Sequence, residues 1–468
     1  MMMRNRCDAF NLLDAPWLPV LFTDGTCRRL GIIETLTSAH RIRDIATSSP
    51  LDRVSILRFL LALLYWSRGG PPALQPGTLE SRWFDKLREH EDRFALLGDE
   101  TRFYQTRTSR LRPVTDLIHE IPTANNFAHF MHVVDGQVGL CLACCAMGLL
   151  RLPLFAVSGT GGVLAGINGV PPFYVLVEGP SLLATLHLNW KPCEDLGNPS
   201  WEKPLYGCQT GERVPLLEGL TALARRVWLG APVENDMVCV RCGTNELPVL
   251  AECGFEGADR YAAGGWIDPH VLYSRDKGKA IRPPNPLPSG KFVSSRPWTS
   301  LDQCLVEAGS STSGVRANTA IRVYAFACNQ ALAVDAFERV VVPPSDPMSM
   351  DASMGFLNTW KDAASRLLPA SACRSKKLRQ AIVMDVLRHV DHVVSDRVGR
   401  NGGRDGLLEW ANQAFAPLLN AVARSAVSGA TVDATRRRAT IANAQPLRRS
   451  TNANRADPAT EEDHEHSC

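Results

Sequence analysis

Cys141-Leu-Ala-Cys144 and Cys239-Val-Arg-Cys242 are two CxxC knuckles carried by one chain. Two residues between cysteines let both sulfurs face a single ion, and four thiolates are the donor set of a closed structural zinc site. Gly243 follows the second pair, where a knuckle turn calls for a residue that takes positive φ. The pairs lie far apart in sequence, unlike those of a compact finger. Cysteine is also common core filler, so buried thiols or a redox pair are the competing reading. Cys145 and Cys253 are the neighbours most easily confused with ligands. A catalytic zinc is disfavoured: neither knuckle follows a proline, no His-x-Glu precedes them, and four sulfurs leave no position for water.

Around the knuckles, residues 102–265 are rich in Gly, Pro and short β-forming runs, among them Phe173-Tyr-Val-Leu-Val177 and the stretch 182–188. This pattern predicts an irregular α+β body with long functional loops. Upstream, Phe10-Asn-Leu-Leu-Asp-Ala-Pro-Trp-Leu-Pro-Val20 reads as a short strand with a proline-stiffened turn. Asp24-Gly25 is a hairpin signal before a second strand. Residues 36–46 carry a short helical pattern. Residues 50–66 are the strongest helix, apolar nearly all round and therefore buried. After a break at 69–76, residues 79–97 predict an amphipathic helix. Residues 321–342 fit strands with a turn at Cys328-Asn-Gln330, or a helix; the pattern does not choose.

Beyond Pro343-Pro344 the chain becomes alanine-rich, and 354–368, 376–398 and 406–427 predict antiparallel helices. After 432 it is polar, with Arg436-Arg-Arg438 and an acidic Glu461-Glu-Asp463, which predicts disorder. The expected fold class is α+β. A large irregular α/β domain with a structural zinc site spans 1–344, a C-terminal helical bundle 345–432, and a disordered tail 433–468.

Composition narrows the function classes. The 468 residues exceed what one hydrophobic core usually serves. With 45% hydrophobic and 21% charged residues, the chain is ordinary globular material. A formal net charge of only +3 gives no global basic field, so nucleic acid would be bound through a local patch or within a larger assembly. No run reaches the roughly 18 apolar residues of a membrane span, and the start carries no apolar signal core. A cytoplasmic protein without a membrane partner is expected, and its 14 cysteines should be mostly reduced.

Several landmarks then occur in one order. Phe10–Val20 resembles the opening of the large subunit of type I-E CRISPR Cascade, the CasA family, and Phe103-Tyr-Gln-Thr106 resembles its Phe-x-Gln-Thr segment. Asn125-Asn126 with Phe130-Met-His132, the first knuckle, Ser158-Gly-Thr-Gly-Gly162 and Thr185-Leu-His-Leu-Asn189 follow. The second knuckle, Trp298 and Asn329-Gln-Ala331 complete the set. The resemblance covers about residues 10–342 and continues into a helical C-terminal domain.

The resemblance implies a DNA-recognition subunit and no enzyme. Such a subunit reads the protospacer-adjacent motif (PAM) on double-stranded target DNA, helps open the duplex toward an R-loop, and recruits a helicase–nuclease. Guide pairing reads the rest of the target. Implied partners are the crRNA-containing Cascade assembly (small subunit, backbone subunits and the subunit that binds the crRNA 5′ end), target DNA and the helicase–nuclease. Asn125, Asn126, Phe130, Met131 and His132 match the family's first PAM-contacting loop; an ordinary Asx turn is the alternative for the two asparagines. Ser158, Gly159, Thr160, Gly161 and Gly162 match its glycine loop, whose backbone can approach a groove closely. A P-loop is excluded because no Gly-Lys-Ser/Thr ends it, while a plain flexible loop stays open. Asn329 and Gln330 match a wedge whose glutamine is pushed into the duplex. Where the family has a PAM-contacting lysine, ungapped alignment places Gly257, and the nearest basic residue is Arg260. The helical bundle looks shorter than is usual in the family. The competing class is a zinc-dependent enzyme that processes nucleic acid, although no acidic cluster suits two metals and no nucleophile–base pair is evident.

Overall fold

A helix that starts on a proline loses nothing at its first turn, because that N–H would go unpaired anyway. Pro50–Arg68 is such a helix, with Asp52 near its positive end and Arg68 near its negative end. Every residue from Leu51 to Trp66 except Arg53 is buried, as the all-round apolar pattern requires. The computed structural model describes residues 10–68, 77–98, 100–121, 138–158, 165–204, 206, 213–233, 237–258, 265–273, 278–280, 282, 320–329 and 332–341. The chain divides into two units, one of residues 1–288 and 302–345, the other of 289–301 and 346–468. All described residues belong to the first. The expected bundle over 345–432 and tail over 433–468 lie outside them.

In chain order the first unit contains β1 (Leu18–Phe22), β2 (Cys27–Leu30), α1 (Ile32–Thr37), β3 (Ile42–Ile45), α2 (Pro50–Arg68), α3 (Asp85–Glu89) and β4 (Leu111–Pro113). Next come β5 (Leu140–Cys141), α4 (Leu142–Phe155), β6 (Tyr174–Val177), α5 (Leu182–Asn189), α6 (Leu216–Thr221) and β7 (Arg225–Leu229). The last are β8 (Val249–Leu250), β9 (Glu252–Gly257), β10 (Ile321–Asn329) and β11 (Leu332–Val341). Three sheets run in the orders β2-β1-β3, β11-β10-β6 and β4-β9-β7, and β5 pairs with β8. All of these pairings are antiparallel. Helix α2 touches α4, α6, β10 and β11, and so carries one core through this mixed helix-and-sheet body.

Several local readings hold. Asp24-Gly25 turns the β1–β2 hairpin, with Gly25 at φ 87° and the Asp24 carboxylate accepting from the Thr26 N–H at 2.9 Å. Of residues 321–342, which fitted either form, Ile321–Asn329 and Leu332–Val341 are strands that pair antiparallel as β10 and β11.

Others are corrected. Residues 36–46 are not one helix: α1 ends at Thr37, and Ile42–Ile45 form β3, paired with β1, with Ile42 and Ile45 buried. Residues 79–97 break into short turns around α3, because backbone pairing of Leu12 with Phe94 and of Leu96 with Phe10 pulls the segment out of helix. The run 182–188 is helix α5, not strand. Ser181 caps it, accepting from the Ala184 N–H at 3.2 Å.

The core also buries charge. Arg58 on α2 donates both terminal nitrogens to Asp268, at 2.6 and 2.8 Å, and lies 5.2 Å from the Tyr174 ring centre. Asn168 donates to the same carboxylate at 2.8 Å, and His270 Nδ1 is 3.2 Å from Arg58. Burial, then the Arg58 guanidinium, pushes His270 down to about 3. Burial, then Arg151, pushes His119 down to about 4.

Both histidines are thus neutral when folded, whereas in the unfolded chain they take up protons below about pH 6.5. The unfolded state binds more protons there, so stability is full above about pH 6.5 and is lost as the pH falls. Each histidine contributes about 1.4 kcal/mol per pH unit until its folded pKa is reached. Denaturant midpoints should therefore drop between pH 7 and pH 5, and His119→Phe should flatten the drop. An unaltered slope in both His119→Phe and His270→Asn would assign the acid sensitivity to other groups.

Candidate metal centre and the stems around it

Cys141 precedes the first residue of α4 and Cys144 sits in its first turn, so one helix start carries the whole first knuckle. The second knuckle is a tight turn. Gly243 donates to the Cys239 carbonyl at 2.9 Å with φ 72°, and Cys239 donates to the Thr244 carbonyl at 2.9 Å. Backbone pairing joins the two: β5 pairs with β8, Gly139 bridges to Cys239, and Val240 donates to the Gly139 carbonyl at 3.0 Å.

The result is a four-sulfur cluster. The Sγ atoms of Cys141, Cys144, Cys239 and Cys242 all lie within 4.8 Å of one another, and Cys141 and Cys242 are 3.7 Å apart. A tetrahedral ion about 2.3 Å from each sulfur sets the sulfurs about 3.8 Å apart, so the spacing fits a thiolate-bound metal. Hydrogen bonds from Cys141 and then Cys144 draw Cys239 far below the usual thiol range. The Cys144 thiol is raised, first by its hydrogen bond to Cys141, then by that to Cys239. Cys242 is the exposed member. Cys145 and Cys253 stand apart. The Cys145 thiol faces the Leu140 carbonyl at 3.7 Å, and burial pushes the Cys253 thiol up to about 12.

Sequence reading missed a second cluster beside the first. Arg151, fully buried in α4, donates Nε to Asp52 at 2.6 Å and Nη2 to Ser49 at 2.9 Å and Glu120 at 3.1 Å. Arg241, inside the second knuckle, pairs with the other oxygen of Asp52. Burial, the largest single influence, would raise Glu120, but Arg151, Ser49 and Arg241 together outweigh it and hold the carboxyl at about 2. The missed signal was a lone arginine in the apolar run Leu142–Phe155, since a buried charge must be paired.

Of the expected DNA-contacting residues, Ser158 is described and exposed. Asn329 is the last residue of β10, opposite Leu332. Asn125, Asn126, Phe130, Met131, His132, Gly159, Thr160, Gly161, Gly162, Arg260 and Gln330 lie outside the described residues. The stems next to them are described, and they pack together. His119, before the first segment, meets Phe326 of β10 with ring centres 5.0 Å apart. Phe326 meets Phe155, before the glycine segment, at 5.8 Å. Arg225 donates to the Val157 carbonyl at 2.5 Å, Gly166 to the Ala156 carbonyl at 2.9 Å, and Ala258 to the Ala224 carbonyl at 3.2 Å. Gly257, where the resemblance would place the family's lysine, is the end of β9 and pairs with Arg225.

Two of the family-like motifs are structural. Gln105 ties Leu96 to Leu229 by its side-chain amide, and Asn189 binds both backbone groups of Val177.

The model of the family described as CRISPR-associated protein Cse1 matches residues 11–435. The CRISPR-associated protein CasA/Cse1 of Thermus thermophilus is 31% identical over 219 residues, 42% of this chain and 43% of that protein. The matched region thus spans less than half of that relative's length. A crystal structure of CasA from Thermus thermophilus superimposes with a TM-score of 0.64 at 21% identity, over 94% of this chain and 100% of that one. A chain of a CRISPR RNA-guided surveillance complex does so with a TM-score of 0.57 at 16% identity, over 93% and 99%. These two likenesses show a shared fold. With its family model matched from residue 11 to 435, the chain belongs to the CRISPR-associated protein Cse1 family.

Proposed function

We propose that the chain is the large subunit of a type I-E Cascade complex, which reads the PAM on double-stranded DNA, opens the adjacent duplex toward an R-loop, and recruits the helicase–nuclease. The carrying observation is the common base of the stems. His119, Phe326, Phe155, Val157, Ala224 and Ala258 link the ends of four separate segments through a continuous run of ring contacts and hydrogen bonds, with the Arg225 side chain joining Val157 to β7. A rigid base of this kind suits segments that must act on one short stretch of duplex together. The likeness to a chain of a surveillance complex supports crRNA-bearing subunits as partners. Among the described residues no helix is long and apolar enough to cross a membrane.

Within this reading Asn125, Asn126, Phe130, Met131, His132, Ser158 to Gly162 and Arg260 contact the PAM duplex. Asn329 and Gln330 form the wedge. The glutamine amide can replace base hydrogen bonds while its bulk parts the first pair.

Zinc is the metal proposed for the cysteine cluster. Four soft thiolate donors at tetrahedral spacing select it, and a closed set gives a structural staple without a reactive water. A zinc enzyme acting on nucleic acid would need an open position, which this donor set does not provide.

Two outcomes test the proposal. Purified chain should carry stoichiometric zinc, and Cys141→Ser or Cys242→Ser should release it and lower the thermal midpoint, because ligand loss removes folding energy directly. Well-folded protein without zinc would refute the metal assignment.

Gln330→Ala in the assembled complex should weaken binding to duplex target roughly tenfold or more, since opening one step costs a few kcal/mol. It should leave binding to a target already melted beside the PAM nearly unchanged. Both affinities must be compared at one salt concentration, because phosphate contacts are salt-dependent. Equal losses on the two targets would make Gln330 a general contact or a structural turn.

A further inference from the structure

The two clusters share an element: Arg241 lies between Cys239 and Cys242 in sequence, and its guanidinium pairs with Asp52. Asp52 holds Arg151 through its other oxygen, at 2.6 Å, and Arg151 holds Glu120. Glu120 is the last charged residue before the first expected DNA-contacting segment, and the short turn Val114–Leu117 leads into it. Two acids and two arginines thus form a neutral chain of ion pairs from the knuckle to the stem. Asp52 and Arg151 are fully buried, with side-chain exposures of 1% and 0%, whereas Glu120 is partly exposed at 36%.

We infer that this chain of ion pairs couples metal occupancy to the stem at residues 114–121, with Asp52 as the positioning residue between them. A metal bound by Cys239 and Cys242 closes the turn that holds Arg241 against Asp52. With the metal gone, the exposed Cys242 is free to leave, the turn opens and Arg241 withdraws. Asp52 and Glu120 then share one guanidinium, and a buried cluster with excess charge is costly. The member able to reach water is Glu120, so the imbalance is relieved by release of the stem. The metal thereby acts beyond its own knuckles, on a segment that contains none of its ligands.

The inference rests on the metal reading above, and its test separates the two. Zinc-loaded chain and chain stripped by a chelator are compared by amide hydrogen exchange, for the natural sequence and for Arg241→Gln. Arg241 is chosen because its side chain is 15% exposed, so the glutamine can reach water. Stripping should speed exchange across residues 114–121 roughly tenfold in the natural chain. In Arg241→Gln those amides should be fast with zinc bound and change little when it is removed. Asp52→Asn, if it folds, should lose zinc to the chelator faster than the natural chain. Equal effects of stripping in both proteins would place the coupling in α4 itself and overturn the relay. Stripping that speeds exchange only around residues 239–244 would overturn any coupling to the stem. A chain that takes up no zinc would end both this inference and the metal reading.

Discussion

The fully buried guanidinium of Arg151 is the interaction on which the rest of this structure depends. A charge in the middle of an apolar helix costs several kcal/mol unless every donor is met, so α4 can pack only where Asp52, Ser49 and Glu120 converge on it. That requirement fixes α4 against the first turn of α2. It thereby places Cys141 and Cys144, at the start of α4, where the second knuckle can reach them. The Arg58–Asp268 pair repeats the device at the other side of α2, holding residues 265–273 and Asn168 to the same helix.

The described body divides its work between stems and the segments they carry. The stems are secured by interactions that tolerate little change: bidentate ion pairs, edge-to-face aromatic contacts at His119, Phe155 and Phe326, and backbone hydrogen bonds made by β7. This is how fixed scaffolds position functional loops elsewhere. The motifs that align with the family serve both parts. Gln105 and Asn189 are buried amides that satisfy backbone groups, while Ser158 and Asn329 mark where stems give way to the proposed contact segments.

The cysteines show the same selectivity. Six of them lie near the two knuckles in sequence or in the neighbouring strand, yet four converge and two do not. Cys145 follows Cys144 directly, but on a helix successive residues point in different directions, so its thiol turns into the core beside Leu140. Cys253 belongs to β9, whose pairing with β4 and β7 commits it to another face.

The sequence alone determined the buried helix α2, the hairpin at Asp24-Gly25, the four cysteines that converge and the family, because each is written in local pattern or in an ordered set of motifs. Local pattern misread 36–46, 79–97 and 182–188, where β3 pairing, the backbone bridge to residues 10–12 and the Ser181 cap decided the outcome. The choice between strands and helix at 321–342 was likewise made by pairing with β6. Only the tertiary structure revealed the buried charge cluster in which Asp52 pairs with both Arg151 and Arg241 and Glu120 pairs with Arg151, since these four residues come from distant parts of the chain. Ion pairing in a core acts through space, at a few ångströms, and a sequence records which charges exist but not which of them are brought together.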